Sequence, residues 1–374
     1  MDKRTEDLFY TIALTQIPAV GCVAAQRLLT VCGSAKQIFK EKPHHLSQIE
    51  RISPTIAANI NACKTEAMQI AEKEIAFIEK NGISVFLRTD ENFPYRLKNC
   101  VDTPILLYGK GNMDLNPKHS ISIVGTRRLT DYGSKMTQQI VADLSTCEHI
   151  QIISGLAAGI DAMAHSTAVK HNLSTVGVLG HGLNTLYPAS NRNLALSMLE
   201  KGGLLTEFTS GTQAESFNFP RRNRIIAGLS DAVVVIEARE KGGALITANI
   251  GFSYDRDIFS VPGRIGDKTS EGCNNLIKFN KAALITSGYD IVEMMLWDGK
   301  RTAPNNENKQ RKLPLNLTEE ELLIMETLHQ SETLDIDELS AITELNINVL
   351  SKTLLSLEFE GHVVCLPGKR YKMS

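Results

Sequence analysis

The stretch "NFPRRNRIIAGLSDAVVVIEA", Asn218 to Ala238, decides the fold. It opens on three arginines, Arg221, Arg222 and Arg224, at the head of a helical-looking segment. The branched aliphatics Val233 to Ile236 that follow read as a buried strand. A continuous apolar strand fed by a helix is the repeating unit of a parallel sheet covered on both faces. The alternation extends outward in both directions. Between about residues 83 and 297, the runs "ISVFL", "PILLY", "SISIVG", "IQIISG", "STVGVLG", "GGLLTEF", "DIFSV" and "AALITSG" are separated by amphipathic stretches. This pattern predicts an α/β fold on a parallel sheet over residues 81–297.

The flanks read differently. Residues 1–80 carry apolar positions at helical spacing, as in "AAQRLLTVCGSAKQIF" and "EAMQIAEKEIAFIEK", and predict an all-helical domain. Residues 298–316 are polar, charged and broken by two prolines, the composition of a linker. Residues 317–374 show three helical patterns and a short hairpin around Pro367-Gly368. The net charge of −2 hides an uneven distribution: residues 315–374 carry 4 basic and 11 acidic groups. A phosphate-bearing partner is therefore expected at local clusters, and least at the C-terminal segment. Seven scattered cysteines without a C-x-x-C pair fit reduced thiols and no zinc site. The charged start "MDKRTEDLFY" and the lack of a run of ~20 apolar residues fit a cytoplasmic protein without membrane contact.

The chemistry is expected in the loops after the strands. Gly125, Thr126 and Arg127 follow one strand; Ser154, Gly155, Gly159 and Asp161 follow the next. Gly180, Gly182, Tyr187 and Asn191 follow a third. In an open α/β sheet such loops gather at the carboxyl ends of the strands, where glycines and helix N-termini suit an anion. Cations at the start of a helix oppose its dipole, and a bound anion would remove that conflict for the arginine cluster. No P-loop occurs, and "GHGLNT" fails the last position of the dinucleotide pattern. Asp161 and His165 stand four apart, but without a third ligand this reads as a capping or surface arrangement. No nucleophile–base set is visible. "IPAVG", Ile17 to Gly21, between two helices suits either a phosphate-binding helix-hairpin-helix or an ordinary αα-hairpin.

These residues resemble the DNA-processing protein A (DprA/Smf) family. The matching motifs are Gly125-Thr126-Arg127 with Tyr132-Gly133, Ser154 to His165, Tyr187 to Leu194, and Phe219 to Ser230. Gly242 to Ala248, Val261-Pro262-Gly263 and Gly272 to Ile277 complete the set, which covers about residues 83–290. The resemblance implies an extended Rossmann-like domain, flanked by a helix-hairpin-helix or SAM-like N-terminus and a winged-helix C-terminus. It implies single-stranded-DNA binding without catalysis or cofactor, a homodimer, and loading of the RecA recombinase in natural transformation. Carried over by position, the DNA site comprises Gly125, Thr126, Arg127, Ser154, Gly155, Gly159, Phe219, Arg222, Asn223, Arg224 and Lys241. A dimer interface is expected at Leu276, Ile277, Leu284 and Ile285, whose apolar character exceeds what one edge helix and strand need to bury.

Two positions depart from the pattern. Ala189 and Ser190 stand where many relatives offer a basic side chain, and Asn280-Lys281 replace a glycine before the final strand. The expected third helix of the winged-helix domain has Lys352 as its only cation beside Glu358 and Glu360, which disfavours groove reading and favours a protein contact or autoregulation. The alternative function is a nucleotide-processing phosphoribohydrolase on a related fold. "KGGALITAN" lacks the catalytic glutamate of that family's P-G-G-x-G-T-x-x-E motif.

Overall fold

The computed structural model describes residues 3–298, 318–329, 331, 333–366 and 368–373. The linker expected over 298–316 lies, Asp298 aside, outside the described residues. The chain divides into two compact units, residues 1–301 and 302–374.

In the first unit, six helices precede the sheet: α1 (Lys3–Thr15), α2 (Cys22–Cys32), α3 (Ala35–Ile38), α4 (Pro43–Ser47), α5 (Pro54–Ala62) and α6 (Lys64–Asn81). Ser34 and Ser53 cap α3 and α5 through their hydroxyls. The hairpin between α1 and α2 turns on Ala19, whose φ is 67°. The helices do not close a core of their own. Leu14, Leu28, Ile38 and Ala71 pack in one cluster with Leu87, Leu106 and Tyr108 of the first two strands. Glu74 on α6 accepts hydrogen bonds from the backbone N–H (2.9 Å) and hydroxyl (2.6 Å) of Ser210.

All nine expected strands are present: β1 (Ser84–Leu87), β2 (Leu106–Gly111), β3 (His119–Val124), β4 (Ile150–Ser154), β5 (Ser174–Val178), β6 (Gly203–Thr206), β7 (Ala232–Val235), β8 (Asp257–Ser260) and β9 (Ala283–Leu284). They form one sheet in the order β1-β2-β6-β5-β4-β3-β7-β8-β9. From β6 to β9 every pairing is parallel. The expected parallel sheet is extended at one edge by two further strands, where β2 runs antiparallel to both β6 and β1. Parallel neighbours need a long crossover. The connection between β1 and β2, residues 88–105, holds the one-turn α7 (Tyr95–Lys98) and no crossover helix.

Seven longer helices follow: α8 (Asp131–Leu144), α9 (Ile160–Lys170), α10 (Arg192–Met198), α11 (Asn218–Gly228), α12 (Gly243–Ser253), α13 (Glu271–Lys278) and α14 (Gly288–Met294). The chain moves from β3 outward through β4, β5 and β6, then returns to β3's other side with β7. The loops after β3 and β7 therefore part company, and a crevice opens above their carboxyl ends.

The second unit has α15 (Glu319–His329), β10 (Leu334–Asp335), α16 (Ile336–Thr343), α17 (Ile347–Phe359), β11 (Val363–Leu366) and β12 (Arg370–Met373). Its sheet runs β10-β12-β11 around a core of Ile324, Leu328, Leu339, Leu350, Leu354 and Leu357. Asp335 and Glu338 form a capping box at the head of α16.

Candidate nucleic-acid interface

The crevice holds a cavity of about 610 Å³ whose walls include Gly125, Thr126, Arg127, Tyr187, Phe219, Arg222, Asn223, Arg239 and Lys241. Thr126 is fixed from both sides: its N–H donates to Glu237 O at 2.8 Å, and its carbonyl accepts from Ile160 N–H at 3.1 Å. That close approach requires Gly159, whose φ is 84° and whose Cβ would lie 2.2 Å from Thr126 O. Arg127 is thereby set on an exposed turn, with its guanidinium 5.2 Å over the Phe219 ring. Phe219 in turn lies 6.0 Å from Tyr187, which is 52% exposed. Arg239 and Lys241 are exposed on the loop after β7. The cavity thus joins three solvent-facing cations to a pair of aromatic faces.

The glycine loops serve a different purpose from the one expected. The N–H groups of Gly155 and Ala157 donate to Asp161 Oδ2, at 3.1 and 3.4 Å, so the loop between β4 and α9 already holds a carboxylate belonging to the chain. Burial raises the Asp161 pKa, against Arg222 and these hydrogen bonds. Glu237, fully buried, holds the N-cap of α8, accepting from the backbone N–H (3.0 Å) and hydroxyl (2.6 Å) of Thr130, whose Oγ1 caps the helix at Gly133 N–H. A Cβ on Gly133 would fall 2.1 Å from its Oε2, which accounts for the Tyr-Gly pair of the motif. Ser154 is buried and donates to Ile123 O, and Asn191 pins the same loop by donating to Leu156 O. Ser154, Gly155 and Gly159 accordingly shape the cavity without lining it.

The arginine cluster splits three ways. At about 100° per residue, positions 221, 222 and 224 leave one helix in three directions. Arg222 is buried, reaching the cavity wall but donating to the carbonyls of Gly155 (2.6 Å) and Val178. Burial lowers its pKa to about 10, with Asp161 opposing the shift. Arg224 is not brought to the cavity. It is buried in an ion pair with Glu207 and also donates to Asp102 O. Burial works against its charge, but Glu207, Cys22 and Asp102 raise its pKa. Of the three, only Arg221 faces solvent, its guanidinium 5.2 Å over the Phe208 ring. The conflict between these cations and the dipole of α11 is thus relieved for Arg222 and Arg224 by the protein's own oxygens.

His165 is fully buried and does not share a metal with Asp161. Its Nδ1 lies 2.7 Å from Thr175 Oγ1, which itself donates to Ile152 O, so the neutral ring donates from Nδ1. Burial, then Arg222, lowers the His165 pKa to about 3. No group of three metal-ligating side chains occurs among the described residues. Of the expected interface residues, Leu276 and Ile285 are buried in the chain's own core because they hold α13 and β9 to the sheet. Ile277 is half-buried, and Leu284 is 46% exposed on the edge strand. Arg239 and Glu237 are not singled out by sequence, and Tyr187 and Asp161 are named there only among the loops and not in the DNA set. Arg239 stands just past the end of its strand, as Arg127 does, and that position is the available signal.

A parallel sheet with one switch point, and above it a cavity combining exposed cations with aromatic faces, defines an extended Rossmann-like binding protein. The chain belongs to the DNA-processing protein A (DprA/Smf) family. The family model for DNA recombination-mediator protein A matches residues 84–296, and that for the DprA winged helix domain matches residues 308–369. Protein Smf of Synechocystis is 33% identical over 97% of this chain and 98% of its own length. The X-ray structure of DNA processing protein A from Streptococcus pneumoniae superposes with a TM-score of 0.65 at 31% identity, covering 76% of this chain and 97% of that one. A structure of DNA processing protein A from Helicobacter pylori, reported for its single-stranded-DNA binding mode, has a TM-score of 0.53 at 27% identity. It covers 58% of this chain and 97% of that one.

Proposed function

We propose that the chain binds single-stranded DNA without catalysis, protects it, and helps load a RecA recombinase on it during natural transformation. The observation that carries the reading is the set of exposed cations Arg127, Arg239 and Lys241 around the paired rings of Tyr187 and Phe219. Cations that follow a backbone and aromatic faces that stack bases are what sequence-tolerant single-strand binding requires. Both carboxylates of the cavity, Asp161 and Glu237, are held by hydrogen bonds from the chain itself, which argues against the phosphoribohydrolase alternative. Dimerisation is supported by Leu284 and Phe279, the latter 64% exposed, beside an edge strand with no neighbour on its outer side among the described residues. The family resemblance supports the recombinase partner and the cytoplasmic setting. No helix among the described residues is long and apolar enough to cross a membrane.

A titration with single-stranded DNA, duplex DNA and mononucleotides tests the reading. Preference for single strands, falling steeply with salt, is expected. Equal binding to all three, or steady release of base or phosphate, overturns it. Light scattering of Leu284→Glu tests the dimer, and co-purification with RecA on single-stranded DNA tests the recruitment.

A further inference from the structure

A second cavity, of about 410 Å³, lies between the α1–α2 hairpin and the segment that leads into α11. The two cavities share one wall. Along residues 213–217, Gln213, Glu215 and Phe217 line the second cavity, while Ala214 and Ser216 line the first. The start of α11 continues the division with two pairs spaced four apart. Phe219 and Asn223 turn to the first cavity, and Phe217 and Arg221 turn to the second. Each cavity therefore receives an aromatic ring and a polar side chain four residues on from the same stretch of chain.

We propose that this second cavity is a further subsite for the same DNA strand, taking a base against Phe217 and the adjoining phosphate at Arg221. The inference rests on the single-strand reading above. Phe217 is 60% exposed at the crest between the cavities, free to stack. Arg221 is exposed beside it. Across the cavity stands Gly21, the N-cap of α2, with no side chain capping the helix, so the first N–H groups of α2 add a second donor set. The interior itself is near neutral. Glu207 is paired with Arg224, and Glu215 on the wall offsets Arg221. Such a lining suits an uncharged base better than a phosphate, which stays at the rim. The occupant follows from continuity: a strand leaving the Tyr187–Phe219 platform over the shared wall meets Phe217 next. The N-terminal helices then belong to the DNA path, with the hairpin "IPAVG" as its far bank.

The test uses the full chain and oligothymidylates of increasing length in fluorescence anisotropy. Wild type should gain affinity in two steps. The second step, on the order of tenfold, should vanish in Phe217→Ala and in Arg221→Ala, while the shortest binding oligonucleotides keep wild-type affinity. Both side chains are exposed, so circular dichroism should show an unchanged fold. Strands carrying 4-thiothymidine should photocrosslink to Phe217 and to peptides containing residues 16–22. A single affinity step, or a second step that survives both substitutions with no crosslink at these positions, overturns the proposal while leaving the first cavity's role intact. Failure of wild type to bind any single strand overturns both.

Discussion

In Arg224→Ala, the Glu207 carboxylate loses its partner while staying inside the protein. The two side chains are 10% and 7% exposed, so solvent does not replace the lost guanidinium. Glu207 Oε1 has no hydrogen-bond partner even in the intact protein, and the nearest remaining donor to Oε2 is the Cys22 thiol at 3.7 Å. Breaking a buried pair from one side costs about 3–5 kcal/mol, against a total stability of about 5–15 kcal/mol. At roughly 2–3 kcal/mol per molar urea, the unfolding midpoint should fall by about 1–2 M. Urea titration followed by far-ultraviolet circular dichroism measures this. Removing both charges, as in Arg224→Met with Glu207→Leu, should restore most of the loss, because no uncompensated ion remains. Refolded Arg224→Ala should bind the shortest binding oligothymidylates, which reach only the first cavity, within about twofold of wild type, since its guanidinium lies away from that cavity. A variant as stable as wild type, with affinity reduced tenfold or more, would refute the assignment and return Arg224 to the DNA site.

Arg127→Ala should behave oppositely. Losing an exposed charge-assisted contact should weaken single-strand binding by about 1.5–3 kcal/mol in anisotropy titrations, equally for all sequences, and leave the urea midpoint nearly unmoved. His165 gives the fold an acid limit. With its folded pKa lowered to about 3 from 6.5, the unfolded chain binds the extra proton between these values, so stability is full above about pH 6.5 and is lost as pH falls. The slope from this group approaches about 1.4 kcal/mol per pH unit, and His165→Asn should flatten it; equal slopes in the two proteins would count against the assignment. Deleting residues 315–374 should leave single-strand affinity nearly intact, because the removed segment carries 11 acidic and only 4 basic groups; a large loss with the remaining fold intact would implicate that domain in binding.

The strands are legible in the sequence because each is a short β-branched run, and the covered sheet leaves no alternation to misread. Strand direction at the β1–β2 edge is less legible, since it depends on the path of a connection and not on the strand's own residues. Arg127, Phe219, Asn223 and Lys241 stand together at the cavity, as their motifs suggest. The arginine cluster misleads because adjacency in sequence is not adjacency in space. Counting 100° per residue around a helix is enough to separate Arg221, Arg222 and Arg224. What no count supplies is the identity of their partners, because Glu207 and Val178 arrive from other strands. The same holds for Asp161 and Glu237. Their loops look like anion cradles in sequence, and only the fold shows which anions are already there.

Those two tethered carboxylates also decide what competes for the crevice. A side chain held a few bonds from its site confronts a diffusing phosphate with an effective concentration that no metabolite pool sets. Abundance alone therefore gives a free nucleotide little purchase on the N–H groups of Gly155, Ala157 and Thr130. A polymer faces no such bar, because it gathers its hold from many modest contacts at the rim. On the single-strand reading proposed above, the crevice would in this sense favour the chain over the monomers that make it.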